Sequence, residues 1–525
     1  IKNSIYFYRF LNHIFIHLRC KSEFKKNKKH LLVEFNSVKP SLLTTIYLIK
    51  YLSEKHNSSF CVFNSNIPSS SYRYFKNFIS VIFQIKCFLI YYFLNFKKFI
   101  FIKPIKKNLF KNENDIIYDY NNLKSRTDLE NYKIDDILIG DLIYDDFLRK
   151  NFLPTIDLKC KKFKGHFING VKNYYYWKDY FKRNKIEALI LTHPVYFLAI
   201  PLRLAQKNEI PVYFCLVNQI EYFNSERGTW MNPKYKNSFK QLNPDKQKKI
   251  LKITKKKIQE KFDPKKNEYA EKYMANEWDI PEDKLNTFSS STKKQIFPNN
   301  SKPNVVIFSH CLYDASHWDG KFLFPDFYQW LKYLYKLSNE LDYNWFIKPH
   351  PHTLSKSLNS EVLKSLSFTN PNLKILDNDV TNDDLLKNNV SLILTSSGSA
   401  AYEFSYYNIP SILAGNKNRY ENYKFSYHPK NLEDYEDAIK NFKKIKYINS
   451  KEDIYEFYYN LYLATWDFLK NYEDYIVERK KFFSDEIFQF YLKDFNTKWK
   501  ENKFEEIDEF IKNKYFQLCS DVINL

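Results

Sequence analysis

Short apolar runs of strand length recur along this chain and alternate with longer segments whose apolar residues return every three or four positions, a strand–helix rhythm. The best-defined instance is residues 389–415, NVSLILTSSGSAAYEFSYYNIPSILAG. Residues 390–394 are a buried-strand run, Thr395, Ser396, Ser397, Gly398 and Ser399 form a small-residue turn, and AAYEFSYY predicts a helix with Ser399 near its N-cap. A helix N-terminus opening from a strand's carboxyl end gathers backbone N–H groups and hydroxyls and is a ready anion site; an ordinary serine-capped turn is the plainer alternative. Upstream, residues 344–352, NWFIKPHPH, are a strand that runs straight into Lys348, Pro349, His350, Pro351 and His352.

The same rhythm organises the rest. LLVEF from Leu31 is a strand, an amphipathic helix passes through Pro40 and ends near Lys55, and residues 60–63 are the next strand, an opening β-α-β of a doubly wound domain. Residues 78–102 are the most hydrophobic window, but Gln84, Lys86, Asn95, Lys97 and Lys98 break it well short of a membrane span. It reads as a helix buried in the first domain; the alternative is a basic–aromatic helix lying on the inner face of a membrane. In residues 134–149, IDDILIGDLIYDDFLR, Asp141 follows Gly140 at the end of an apolar run, where it could take a proton, while a helix cap and surface salt links account for Asp145 and Asp146. The strand at 188–191 ends in Thr192, His193 and Pro194, the position at which open α/β sheets place ligands.

Residues 221–300 are lysine-rich and helical over 244–278, as expected of an insertion and connector. A strand at 304–309 then ends in Ser309 and His310, followed by a polar loop with Asp314, His317, Asp319 and Gly320. That loop lacks the helical i, i+4 placement of metal ligands, so substrate contacts are expected of it and no metal. Helices at 325–341 and 382–387 and strands at 345–347 and 373–376 complete a parallel sheet, and helices at 432–442, 453–469, 475–492 and 504–514 close the chain.

A length of 525 residues predicts two domains, and 44% hydrophobic with 19% aromatic residues supplies cores for both. The net charge of +22 comes mostly from lysines spread along the chain, without an arginine-rich groove or zinc-finger spacing, so nucleic acid is not an expected partner. Seven cysteines stand singly with no CxxC, which argues against a zinc or disulfide framework and for a reducing cytoplasm. Residues 5–16 are apolar but carry Arg9 and His13, and no small-residue cleavage site follows, so they are not read as a signal peptide. Only seven glycines occur and none forms a GxGxxG or Walker loop, yet Gly140, Gly320, Gly398 and Gly415 all fall in the stretches above.

Lys348-Pro349-His350-Pro351, followed after a strand and helix by Thr395-Ser396-Ser397-Gly398-Ser399, resembles the HP and serine motifs of capsule and surface polysaccharide biosynthesis proteins. That group includes polysialyltransferases and Kdo transferases, and CDP-glycerol glycerophosphotransferases look similar; IGDLIYDDFLR and LTHPVY also look like this group. The resemblance covers most of residues 31–430. It implies an α/β fold of GT-B type, two Rossmann-like domains facing an interdomain cleft, with C-terminal helices. The expected division is 1–220 acceptor-side domain, 221–300 connector, 301–430 donor domain and 431–525 closing helices. It implies a glycosyltransferase that needs no cofactor or metal, taking a nucleotide-sugar donor, CMP- or CDP-linked among the candidates. The acceptor would be a glycan or lipid-linked glycan, with the enzyme cytoplasmic and in peripheral contact with the inner membrane. Lys348, His350, Ser396, Ser397, Gly398 and Ser399 would hold the donor's phosphate and Glu403 the ribose hydroxyls. Asp141 or His193 would be the catalytic base, and Ser309, His310, Asp314 and His317 are further cleft candidates. The alternatives are a CDP-linked polyol-phosphate transferase of teichoic-acid type and a non-catalytic basic protein that binds nucleic acid or membrane.

Overall fold

The computed structural model describes residues 11–12, 14–20, 29–35, 39–64, 85–100, 113–215, 220–223, 239–262, 295–350, 357–377, 380–444 and 450–459. Pro351, His352 and the helices expected beyond residue 459 lie outside the described residues, as do 78–84 and 263–294. The chain divides into two compact units, one of residues 1–146, 158–227 and 465–525, the other of residues 147–157 and 228–464.

The first unit opens with β1 (His30–Glu34), α1 (Lys39–Lys55), β2 (Ser59–Phe63), α2 (Ile85–Phe93) and β3 (Lys98–Ile100). Helices α3 (Glu113–Asn121) and α4 (Arg126–Glu130) lead to a short antiparallel pair, β4 (Lys133–Ile134) and β5 (Ile137–Leu138). There follow α5 (Gly140–Asn151), α6 (Lys161–Arg183), β6 (Ile186–Leu191), a 3-10 turn at Tyr196–Leu198, α7 (Ala199–Lys207), β7 (Val212–Cys215) and β8 (Ile220–Phe223). The sheet order is β3-β2-β1-β6-β7-β8, parallel except for the antiparallel edge strand β8. The central strands are apolar on both faces, as a sheet covered by helices on both sides requires.

Two expectations change here. Within the described part of the hydrophobic window 78–102, α2 is followed by the edge strand β3, so the window is not one helix. Helix α2 buries Ile90 and Tyr91 and leaves Ile85 and Tyr92 exposed. The apolar run before Gly140 is the small β4–β5 pair rather than a strand of the main sheet, and Asp141 lies in the first turn of α5. No described helix is long and apolar enough to cross a membrane.

The second unit contains α8 (Pro244–Phe262), β9 (Asn304–Phe308), β10 (Lys321–Phe322), α9 (Phe327–Glu340), β11 (Asn344–Lys348), α10 (Ser357–Thr369) and β12 (Leu373–Ile375). It continues through α11 (Asn382–Lys387), β13 (Leu392–Thr395), α12 (Ala400–Tyr406), β14 (Ser411–Leu413), β15 (Gly415–Asn416), α13 (Leu432–Lys440) and α14 (Lys451–Tyr458). Its five-stranded sheet has the order β12-β11-β9-β13-β14, all parallel, and β10 pairs antiparallel with β15. Period-two alternation sends Val305, Ile307, Trp345, Ile347, Leu392 and Leu394 to one face, against Trp330 of α9 and Tyr435 of α13. Val306, Phe346 and Ile393 face the other core, with α12, α14 and Ile258 and Phe262 of α8. Helix α8, expected in a connector, is thus part of this unit's core. Each unit is a Rossmann-like, doubly wound α/β structure.

Candidate functional site

The two sheets share one winding rule. In each, the chain lays its first strand, adds two on one side, then crosses to the other, so the order reverses between β1 and β6 and between β9 and β13. Crevices at the carboxyl ends of such strand pairs are where open α/β sheets bind ligands.

At the second unit's reversal, β9 ends in Ser309 and His310 and β13 in the serine turn. Ser309 is buried; its N–H and hydroxyl donate to the Lys348 carbonyl at 3.1 and 3.2 Å, and its Oγ accepts from the His350 N–H at 3.0 Å. This clasp fixes where β11 delivers His350. The His310 ring stacks on Phe327 (4.9 Å between centroids, 19°) and lies parallel to His350 (6.1 Å, 21°). Its Nε2 is only 3.6 Å from where a Gly398 Cβ would stand, so His310 bridges from His350 to the serine turn. Gly398 is required there: its N–H donates to Thr395 Oγ1 at 3.1 Å, and a Cβ would meet that oxygen at 2.7 Å.

Burial, seconded by the nearby Arg419 charge, lowers the His310 pKa to about 4 while Asp314 opposes, so the ring is a neutral donor or acceptor at pH 7. An imidazole whose folded pKa lies below its unfolded value contributes stability that is complete above pH 6.5 and is lost as the pH falls toward 4. We expect His310→Phe, which keeps the stacking plane, to flatten that acid limb in denaturant titrations run from pH 7 to 4; an unchanged limb would assign it to other groups.

The cation at the turn is Arg419, in the loop after β15. Its Nη2 donates to the Ser397 carbonyl, its guanidinium lies over Trp318 (5.4 Å) and Tyr420 (5.0 Å), and its Nε is 3.4 Å from Asp319 Oδ2. Burial pushes the Asp319 pKa up, opposed by Arg419 and by a hydrogen bond from the Ser397 hydroxyl. Ser396, Ser397, Asp319, Trp318, Phe327 and Asn418 help line a small recess with little more room than one water molecule. The Ser396 hydroxyl is buried with no hydrogen-bond partner among the described residues, a state that costs about 1–3 kcal/mol unless a ligand or water completes it.

Other expected donor-site residues are held elsewhere. Lys348 Nζ donates to the Val380 carbonyl rather than reaching the turn. Glu403 is buried, 2.5 Å from Lys261 of α8 and accepting from Asn382 at 3.3 Å, so it must be shared with Lys261 to meet a ribose. Ser399 occupies the N-cap of α12 but makes no capping bond, and the helix has seven residues, so the positive charge at the turn comes from Arg419 more than from the helix terminus. Asp314 Oδ1 accepts from the Ala315 N–H at 2.9 Å, and His317 Nδ1 is 3.3 Å from the Ser316 hydroxyl. Among the described residues no three His, Cys, Asp or Glu side chains form a metal-binding group.

In the first unit, Asp141 is buried and gripped by Arg203, with Nη1–Oδ1 and Nη2–Oδ2 both at 2.6 Å. To act as a base it must leave this fork. Asp146, expected as a surface salt link, is buried 3.1 Å from His166 Nε2, and Asp145 is buried too. His193 is exposed beyond β6, its Nδ1 3.3 Å from Thr192 Oγ1. The residue missed by sequence reasoning is Glu34 at the end of β1: its Oε2 accepts from the Thr192 N–H at 2.8 Å and hydroxyl at 2.6 Å. Burial raises its pKa to about 7 against those two bonds. A carboxylate inside the apolar run LLVEF was the available signal. For Arg419 the signal was rarity, since arginine supplies ten of the 82 basic residues.

Fold and site together define a two-unit α/β protein with polar clusters at both strand-order reversals. No protein family and no curated protein matches the chain. Among solved structures it is similar to the UDP-GlcNAc 2-epimerase from Neisseria meningitidis bound to UDP-GlcNAc, at 11% identity over 82% of this chain and 97% of that one, with a TM-score of 0.25. It is also similar to a glycosyltransferase from Rickettsia africae ESF-5, at 11% identity over 86% and 98% of the two chains, with a TM-score of 0.24. Likeness at this level transfers no residue and no activity.

Proposed function

We propose that this protein is a glycosyltransferase of GT-B type that moves a sugar from a nucleotide-activated donor to a surface or capsular glycan, with the donor's phosphate held in the second unit. The observation that carries this reading is the buried Ser396 hydroxyl, without a hydrogen-bond partner among the described residues, on the same turn whose Ser397 carbonyl Arg419 engages. Departure of a nucleotide concentrates negative charge on a phosphate oxygen, and prearranged donors stabilise that charge. Ser396 and Arg419 are donors at the turn, and the neutral His310 ring lies beside Gly398. The sequence resemblance to capsule polysaccharide enzymes supplies the acceptor class.

The test is a thermal-shift series with CMP-, CDP-, UDP- and GDP-sugars. One base is expected to raise Tm, since a ligand at 100 times its Kd stabilises the native state by about 2.7 kcal/mol. Ser396→Ala should abolish the shift, and no shift with any of them at millimolar concentration would remove the reading. Identifying the released nucleotide then separates sugar transfer from polyol-phosphate transfer. Because side chains supply the charge in this reading, turnover is expected to be unchanged by EDTA; a loss restored by a divalent cation would contradict that part.

A further inference from the structure

Residues 147–157 fold with the second unit, although in sequence they lie between elements of the first. A chain of side-chain contacts links them to the surroundings of the serine turn. Where α5 ends, Phe152 has φ +54°, the left-handed position that glycine usually takes, and the Leu153 N–H donates back to the Leu148 carbonyl at 3.2 Å. So bulky a residue keeps that strained backbone only where its surroundings hold it, and its ring stands edge-on to the buried Tyr313 at 5.1 Å. Three residues on, the Thr155 hydroxyl donates to Asp326 Oδ2 at 2.6 Å, and its Oγ1 accepts from Gln329 Nε2 at 3.3 Å. Asp326 is fully buried and caps α9, its Oδ1 accepting from the Gln329 N–H at 2.7 Å. One carboxylate therefore joins residues 147–157 to the first turn of that helix. The residue after it, Phe327, is the ring on which His310 stacks, and it lines the recess with Ser396 and Ser397.

We propose that Thr155 is a positioning residue of the donor site: by holding Asp326 it sets where Phe327 carries the His310 ring beside the serine turn. This rests on the glycosyl-transfer reading above and concerns only its donor-binding half. Thr155 need not touch the donor. A buried carboxylate whose two oxygens are engaged by different elements leaves the start of α9 little freedom, since losing either bond weakens the compensation of a buried charge. Without the threonine hydroxyl, Oδ2 loses a donor, and any resettling of the Asp326 backbone moves Phe327, the next residue, and the histidine stacked on it. A misplacement of about 1 Å made far from the chemistry can cost about 100-fold in rate.

The test is donor titration of variants, using the nucleotide sugar that raises Tm most in the wild-type protein, with unfolding midpoints measured in parallel. Thr155→Val keeps the shape and removes the hydroxyl, and should raise donor Kd about tenfold, equal to about 1.4 kcal/mol. Thr155→Ser restores a hydroxyl and should stay within about threefold of wild type. Ser338→Ala is the control for general loosening: Ser338 is buried in the same helix, about 16 Å along from Phe327, and accepts from Asn370 at 2.7 Å. It should lower the unfolding midpoint and leave donor Kd unchanged. A folded Thr155→Val with wild-type donor Kd overturns the proposal. So does a Ser338→Ala that loses as much donor affinity, or a Thr155→Ser as weak as Thr155→Val. Should Thr155→Val not fold, Asp326→Ser decides, because serine caps a helix as well as aspartate but offers one oxygen instead of two. Donor Kd should rise in it, and an unchanged Kd overturns the proposal. Wild-type protein that no nucleotide sugar stabilises takes down the parent reading, and this one with it. Donor binding indifferent to Thr155 takes down this one alone.

Discussion

Arg419→Ala is expected to cut donor-dependent turnover about 100- to 1,000-fold, the loss that follows removal of one prearranged donor to a developing anion. Arg419 is the cation at the serine turn, held there by the Ser397 carbonyl, by Asp319 and by the faces of Trp318 and Tyr420. Removing it also leaves the buried Asp319 carboxylate without its opposing charge, so folding must be measured alongside. Arg419→Lys keeps one positive charge but not the planar fork or its ring contacts, and should recover only part of the activity. Wild-type turnover in both variants, with the fold intact, would show that no transferring phosphate meets this turn.

Asp141→Ala should destabilise the protein by about 3 kcal/mol, the low end for breaking a buried ion pair, because it leaves the half-buried Arg203 guanidinium with the Leu138 carbonyl but without the carboxylate that faces its fork. Denaturant titration of the variant measures this directly. The competing role adds a second effect. If Asp141 were the base, Asp141→Asn would abolish turnover in protein that still folds and still binds donor, whereas a purely structural Asp141 would leave turnover of the folded fraction near wild type.

What the sequence made legible was local. Residues such as Val306 and Ile393 belong to buried parallel strands, whose continuous apolar runs are hard to mistake, and the capping box of Thr381 and Asp384 marks the start of α11 in the chain itself. The serine turn was legible for the same reason. Side-chain partners were not, because they depend on elements far apart in sequence. Nothing near Asp141 announces Arg203, 62 positions on, and nothing near Glu403 announces Lys261, 142 positions back. Glu34 was hidden by its setting, since one carboxylate at the end of an apolar strand looks like an ordinary strand terminus until Thr192 is placed beside it. The window at 78–102 misled because hydrophobicity alone does not separate a helix followed by an edge strand from one longer helix.

The ribbon of β10 with β15 ties the segment after β9 to the segment after β14, and Gly320 at φ +79° lies so close to the second segment that a Cβ would stand 2.5 Å from the Asn418 nitrogen. Asp319 and Arg419 flank that contact, so the conformation of each loop depends on the other. Exchanging either loop alone should therefore lower the unfolding midpoint, and only residues 316–322 replaced together with 415–420 should leave it in place.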